Sequence, residues 1–308
     1  MTDARLEAEL ELARAAPEEL VDRVYRLALR RPPEPEALAE AAGRLRDGTL
    51  SAAALLADAV GGDEFARVRV LDDAVAQATW ARGADERPRE LTAPPWVDER
   101  AVEIPWTLAR YRGEPRVLDV GYAFAEPAYL AALVRACPGE PVGVDLAERD
   151  VPGLRGVRSD VRELPFADGS FDVVFCVSTL EHVGLDNTGY GVEGQRDEEG
   201  RGRALRELGR VVGRHGRLLV TVPAGEREDH GSFVQLGPDA WLALFDGAGL
   251  ECVEHEAYER TPDGWASRSS LPPGLRYGSR GDGAAGVLCA ELRPWTATRR
   301  LRRALRPR

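Results

Sequence analysis

Apolar residues recur with two different periods along this chain. Up to about Trp80 the spacing is helical: Leu20, Val21, Val24, Tyr25 and Ala28 share one face behind a first turn of Pro17, Glu18 and Glu19. Pro32, Pro33 and Pro35 stop that helix. Leu38, Ala41, Ala42 and Leu45 predict a second, ending in the Arg46-Asp-Gly-Thr turn. Ser51 caps a third, with Leu55, Leu56 and Ala59 turned inward and Gly61-Gly62 at its end. Phe65, Val68, Leu71 and Val75 begin a fourth. From Arg116 the period changes to short unbroken apolar runs, which suit strands covered on both faces of a parallel sheet. Arg116-Val-Leu-Asp-Val120, Pro141-Val-Gly-Val144, Val173-Val-Phe-Cys-Val177 and Leu218-Leu-Val-Thr-Val222 are such runs, and further apolar stretches lie around Leu250 to Val253 and Gly286 to Leu292.

Helical segments separate these runs: one around Glu126 to Ala136, one with Leu205, Leu208, Val211 and Val212 inward, and one carrying Trp241, Leu242, Leu244 and Phe245. Strands alternating with helices predict a Rossmann-like doubly wound α/β sheet of seven strands, preceded by a small all-α domain. The domains expected are 1–81 (helical), a proline- and charge-rich linker over 82–100, 101–295 (α/β), and a basic tail over 296–308. Trp96 and Trp106 flank a helix ahead of the first strand, placed either to pack between domains or to close over the site. Polar, glycine-rich loops follow Gly184 and Ala224.

Ligands of open α/β sheets bind outside the carboxyl ends of the strands, so the residues there decide the ligand. The first loop holds Asp119 and Gly121, the second run ends on Asp145, and Asp160 follows in the next segment. An acid after the second strand suits the two hydroxyls of a ribose. The first loop reads Asp119-x-Gly121-x-Ala123-x-Ala125, not G-x-G-x-x-G, and its acid would repel a phosphate. An NAD(P) dehydrogenase is therefore excluded. The pattern suits a nucleoside that carries a positive charge and no phosphate, as S-adenosyl-L-methionine (SAM) does.

Val117 to Gly184 resembles the cofactor half of a class I SAM-dependent methyltransferase of the type 11 kind. The resemblance rests on Val117-Leu-Asp-Val-Gly-Tyr-Ala-Phe-Ala125, on Val142-Gly-Val-Asp145-Leu-Ala, and on Asp160-Val-Arg-Glu-Leu-Pro-Phe-Ala-Asp-Gly-Ser-Phe-Asp172 followed by Ser178-Thr-Leu-Glu-His182. It implies that Asp119 and Gly121 border the methionine portion, Asp145 the ribose, and Asp160 with Val161 the adenine. Tyr122, Ala123, Leu146 and Ser178 complete the expected cofactor set, and the last strand is expected to insert antiparallel. Glu18 to Val68 resembles a helical module of bacterial surface and glycan-associated proteins, similar to phycobilisome linkers, through Leu20-Val-Asp-Arg-Val-Tyr25, Leu45-Arg-Asp-Gly48 and Asp63-Glu-Phe65.

Composition narrows the partners. The 308 residues carry a formal net charge of −11, which argues against nonspecific nucleic-acid binding, and every basic residue is arginine, as in GC-rich bacterial genomes. Cys137, Cys176, Cys252 and Cys289 show no metal spacing and read as reduced thiols, three of them in strands. With no run long enough to span a bilayer, the expected location is cytoplasmic. A hydroxyl acceptor must lose its proton, and His182 or His230, beside Glu181 and Asp229, is the candidate base. Asn187, Tyr190 and Gln235 are candidate contacts to the acceptor. Methylation of a small polar acceptor, a hydroxyl of a sugar or cell-surface glycan intermediate, is the expected function. The alternative is a non-catalytic Rossmann-like scaffold. The tail from Arg299 to Arg308 is either a solvated end or a contact for anionic lipid or another acidic partner.

Overall fold

The fold is drawn from a computed structural model, which describes residues 15–83, 90–91, 97–188 and 196–295. Trp96, Tyr190 and the Arg299 to Arg308 tail lie outside the described residues. The chain divides into two compact units, Met1–Asp73 and Ala74–Arg308.

In the first unit α1 (Pro17–Ala28), α2 (Pro35–Arg46) and α3 (Ala52–Gly61) enclose Leu20, Val21, Val24, Ala42, Leu50 and Leu55. Prolines open α1 and α2, where the missing N–H has no helical partner to lose. Ser51 Oγ accepts from the Ala54 N–H at 3.1 Å, capping α3. Leu56 departs from expectation and is 47% exposed. One residue is a 100° step around a helix, so burying Leu55 turns Leu56 outward. The fourth helix, α4, spans Asp63–Gly83.

The second unit is built on a sheet of nine strands among the described residues, with a separate two-stranded hairpin. Its strands are β1 (Glu90–Leu91), β2 (Val117–Val120), β3 (Val142–Asp145), β4 (Arg155–Arg158), β5 (Val173–Val177), β6 (Arg217–Pro223), β9 (Leu250–Thr261), β10 (Gly264–Arg268) and β11 (Gly286–Pro294), in the order β1-β10-β9-β11-β6-β5-β2-β3-β4. The segment from β4 to β6 is parallel, and β11 runs antiparallel between β6 and β9. This is the expected seven-stranded α/β arrangement with its inserted last strand. Two strands extend it: β10 folds back on β9 through Pro262-Asp263, and β1 pairs with β10. The loop expected after Ala224 contains the hairpin of β7 (Glu228–Asp229) and β8 (Val234–Gln235).

The helices are α5 (Arg100–Arg110), α6 (Pro127–Ala136), α7 (Gly200–Val212) and α8 (Pro238–Gly247). Leu205, Leu208, Val211, Trp241 and Phe245 from α7 and α8 pack with Leu118, Val174, Val220 and Leu288 of the sheet. Helix α5 packs on β5, β6 and β11. Trp106 lies within α5 and not beside it, buried beneath the Arg110 guanidinium at 4.0 Å. The chain leaves β2 for β3 on one side and returns to β5 on the other, so a crevice opens where the order reverses. Among the described residues no helix is long and apolar enough to cross a membrane.

Candidate active site

A cleft of about 460 Å³ lies at the carboxyl ends of β2 to β5. Its wall brings together Asp119, Gly121, Asp145, Leu146, Asp160, Val161, Ser178 and His182, residues spread over more than sixty positions of sequence. Gly121 makes the turn after β2 with φ of 89°, the left-handed region that favours glycine. A Cβ there would run into the Thr179 hydroxyl. Asp145, half-buried at the end of β3, accepts from Ala123 N–H at 3.1 Å and from Ala147 N–H at 3.0 Å. Each carboxylate oxygen keeps a second lone pair for a ligand hydroxyl. Burial raises this carboxyl above its ordinary value, opposed by those backbone N–H groups.

Asp119 is 2% exposed and accepts from the Tyr129 hydroxyl. Burial pushes it up to about 7, against the tyrosine hydrogen bond. Burial works on Asp160 in the same sense, but the Arg162 guanidinium and N–H outweigh it and hold Asp160 below the usual range. Arg162 also reaches Asp197 at 2.9 Å. Among the described residues no arginine closes on Asp119 or Asp145 in that way, so the floor of the cleft keeps two carboxyl groups without a cationic partner.

Two members of the expected set lie elsewhere. Tyr122 does not line the cleft; its ring is buried against β3 and β4, where a Cβ on Gly143 would come within 2.5 Å of Tyr122 Cγ and one on Gly156 would meet its hydroxyl. Ala123 contributes through its N–H to Asp145. Gln235 is also removed from any acceptor role, because its buried amide donates to the carbonyls of Glu226 (3.0 Å) and Leu275 (3.1 Å). Asn187 does line the cleft.

The two histidines separate. His182 Nδ1 lies 2.8 Å from the Ser232 carbonyl, which accepts only from a protonated nitrogen and so puts the ring's lone pair on Nε2. Burial lowers the His182 pKa, the Ser232 contact opposes this, and Arg100 lowers it further, so the ring is neutral at pH 7. His230 is absent from the cleft wall and stacks on Phe233 at 4.4 Å, with Tyr277 5.4 Å away. Asp229 pairs with Arg196.

A group without a motif stands behind the cleft. Glu103 on α5 is completely buried and accepts from Ser178 Oγ at 2.7 Å, and Ser178 itself holds a left-handed φ of 42°. Glu181 is buried, and its Oε2 has no hydrogen-bond partner among the described residues. The signal that could have revealed Glu103 is a lone acid inside the apolar stretch Ala101-Val-Glu-Ile104.

Burial pushes Glu181 up to about 8, with Glu103 adding to it. Because the folded value lies above the unfolded one of 4.5, the stability present below about pH 4.5 is lost progressively as pH rises from there through about 8. Glu181→Gln, which cannot ionise, is expected to be more stable than wild type at about pH 8.5, on the order of 5 kcal/mol, with a much smaller difference near pH 5. Thermal scans at the two pH values check this; parallel pH dependence in both proteins would rule it out.

Residues 118–220 match a family model described as a methyltransferase domain. Among solved structures it is similar to a methyltransferase of Burkholderia thailandensis that acts on 1,6-didemethyltoxoflavin, crystallised with that compound and S-adenosylhomocysteine (15% identity, 89% of this chain and 91% of that one, TM-score 0.44). It is also similar to a putative methyltransferase of Bacillus halodurans C-125 (14% identity, 62% and 96%, TM-score 0.42) and to the [4+2]-cyclase SpnF (19% identity, 59% and 76%, TM-score 0.42). The matched span runs from β2 into β6 and includes Asp119, Gly121, Asp145, Asp160 and His182. It leaves out α5, with Arg100 and Glu103, and the strands β9 to β11.

Proposed function

We propose that this protein is a SAM-dependent methyltransferase acting on a hydroxyl of a small polar acceptor, with a sugar or glycan intermediate as the substrate class. The observation that carries the reading is the Asp145 carboxylate, held by Ala123 and Ala147 N–H groups beside the Gly121 turn, with buried Asp119 on the same cleft wall. That arrangement accepts ribose hydroxyls and favours a cation while offering no phosphate cradle. The glycan class is supported only by the resemblance of the first unit, which is associational.

Bound SAM supplies an electrophilic methyl group on a sulfonium. The chain's part is to hold acceptor and methyl in line and to keep water out, which Ile104, Phe124, Val183 and Leu185 on the cleft wall serve. His182 Nε2 takes the acceptor's hydroxyl proton as the oxygen attacks, and the neutral state of the ring at pH 7 suits that role.

His182→Ala is expected to lower kcat by roughly 10²–10³-fold while leaving S-adenosylhomocysteine affinity within about threefold. In the wild type, the lowered pKa predicts that the acid limb of the pH–rate profile lies below the ordinary histidine value of 6.5. Isothermal titration with SAM and S-adenosylhomocysteine tests the cofactor, and no binding at millimolar ligand would defeat the enzyme reading. The acceptor would be found by comparing metabolites of a deletion strain, where a glycan lighter by one CH2 is the expected result.

A further inference from the structure

Every hydrogen bond that the Arg100 side chain makes leaves from one nitrogen. Nη1 donates to Glu99 Oε1 at 2.8 Å, to Ser178 Oγ at 3.2 Å and to Glu103 Oε2 at 3.4 Å. The opposite edge, Nε with Nη2, has no hydrogen-bonding partner among the described residues, although Arg100 lines the cleft and its side chain is 31% exposed. Three acceptors on Nη1 fix the plane of the guanidinium. One comes from its own helix, one from Glu99 just ahead of that helix and one from the end of β5, where Ser178 is held by Glu103 and by Thr221.

A guanidinium pinned along one side presents Nε–H and Nη2–H as two parallel donors, the fork that matches a carboxylate. The neighbouring acids Glu99, Glu103 and Asp98 make the surroundings unfavourable for a doubly charged phosphate, so a monoanion is the better fit. Burial acts to lower the Arg100 pKa, but the surrounding carboxylates, Glu103 foremost, raise it overall, so the fork stays charged.

We infer that Arg100 is the carboxylate-binding residue of this cleft. The inference rests on the cofactor reading above, which supplies one carboxylate on the methionine end of SAM; an acidic acceptor would supply another.

Titration calorimetry of the full chain separates these sources. S-adenosylhomocysteine carries the carboxylate, and methylthioadenosine is the same nucleoside thioether without the amino-acid end. For the cofactor source, Arg100→Gln weakens S-adenosylhomocysteine binding about 10- to 100-fold and changes methylthioadenosine by less than about twofold. Arg100→Lys, which keeps the charge against Glu103 but lacks the fork, falls between them. For the acceptor source, neither nucleoside is affected, but benzoate binds the wild type saturated with S-adenosylhomocysteine and not the Gln variant. Equal weakening of both nucleosides would make Arg100 a structural residue and overturn the inference. So would three ligands indifferent to the substitution, with the cofactor reading left standing. A wild type that binds neither nucleoside removes both.

Discussion

Gly121→Ala is expected to lower stability by about 3 kcal/mol and to remove measurable SAM binding. Two costs combine. An alanine in the left-handed region costs roughly 1–2 kcal/mol, and overpacking a tight site costs about 1–3 kcal/mol more. The φ of 89° at Gly121 incurs the first, and the Thr179 hydroxyl, which a Cβ would strike, incurs the second. Thr179 cannot easily retreat, because its Oγ1 lies 3.1 Å from the Val120 carbonyl and 2.9 Å from that of Val177. Urea denaturation of Gly121→Ala, Thr179→Ala and the double variant separates the contributions. The double variant should recover the clash and retain the backbone cost. If Gly121→Ala were as stable as wild type and bound S-adenosylhomocysteine normally, the turn would not have the shape described.

Asp145→Ala should weaken S-adenosylhomocysteine about 100-fold, since hydrogen bonds to a charged group contribute about 1.5–3 kcal/mol and a ribose offers two hydroxyls. The carboxylate also ties together the loops after β2 and β3 through the Ala123 and Ala147 N–H groups. Asp145→Asn keeps one acceptor oxygen and should lose about tenfold, which distinguishes loss of ligand contacts from collapse of the loops. A scaffold that binds no nucleoside predicts the opposite outcome: no affinity to lose and unchanged behaviour in the cell. Calorimetry on the two variants therefore decides between an enzyme and a scaffold.

The outcomes at single residues show where reading a sequence works. Leu118, Val144, Val174 and Val220 are buried from both sides, so their runs read as central strands, and they are. Asp119, Gly121, Asp145 and Asp160 each end or follow such a run, and the topology of a parallel sheet brings strand ends together. By its place in the same loop Tyr122 reads as a ligand contact. The tertiary fold instead spends its ring on two glycines, Gly143 and Gly156, of neighbouring strands. Strand β10 escaped because its short alternating stretch, Gly264-Trp-Ala-Ser-Arg268, lacks an apolar run; the Pro262-Asp263-Gly264 turn was the available sign of a hairpin. Gln235 reads as a polar loop residue until the Leu275 carbonyl is found against its amide.

By itself, the sequence determined the element types, the parallel core with its inserted last strand, and the acids at the strand ends, because period and local loop chemistry are written in neighbouring residues. Only the tertiary structure decided which histidine faces the cleft and which stacks on Phe233, that Tyr122 is packing, and that Arg100, Glu103 and Ser178 form one group. Those facts depend on contacts between residues up to 78 positions apart, and on whether a polar atom ends buried beside a partner or at the edge of a cavity. Burial and pairing are properties of the assembled chain, and with them the charge that each acid carries at neutral pH.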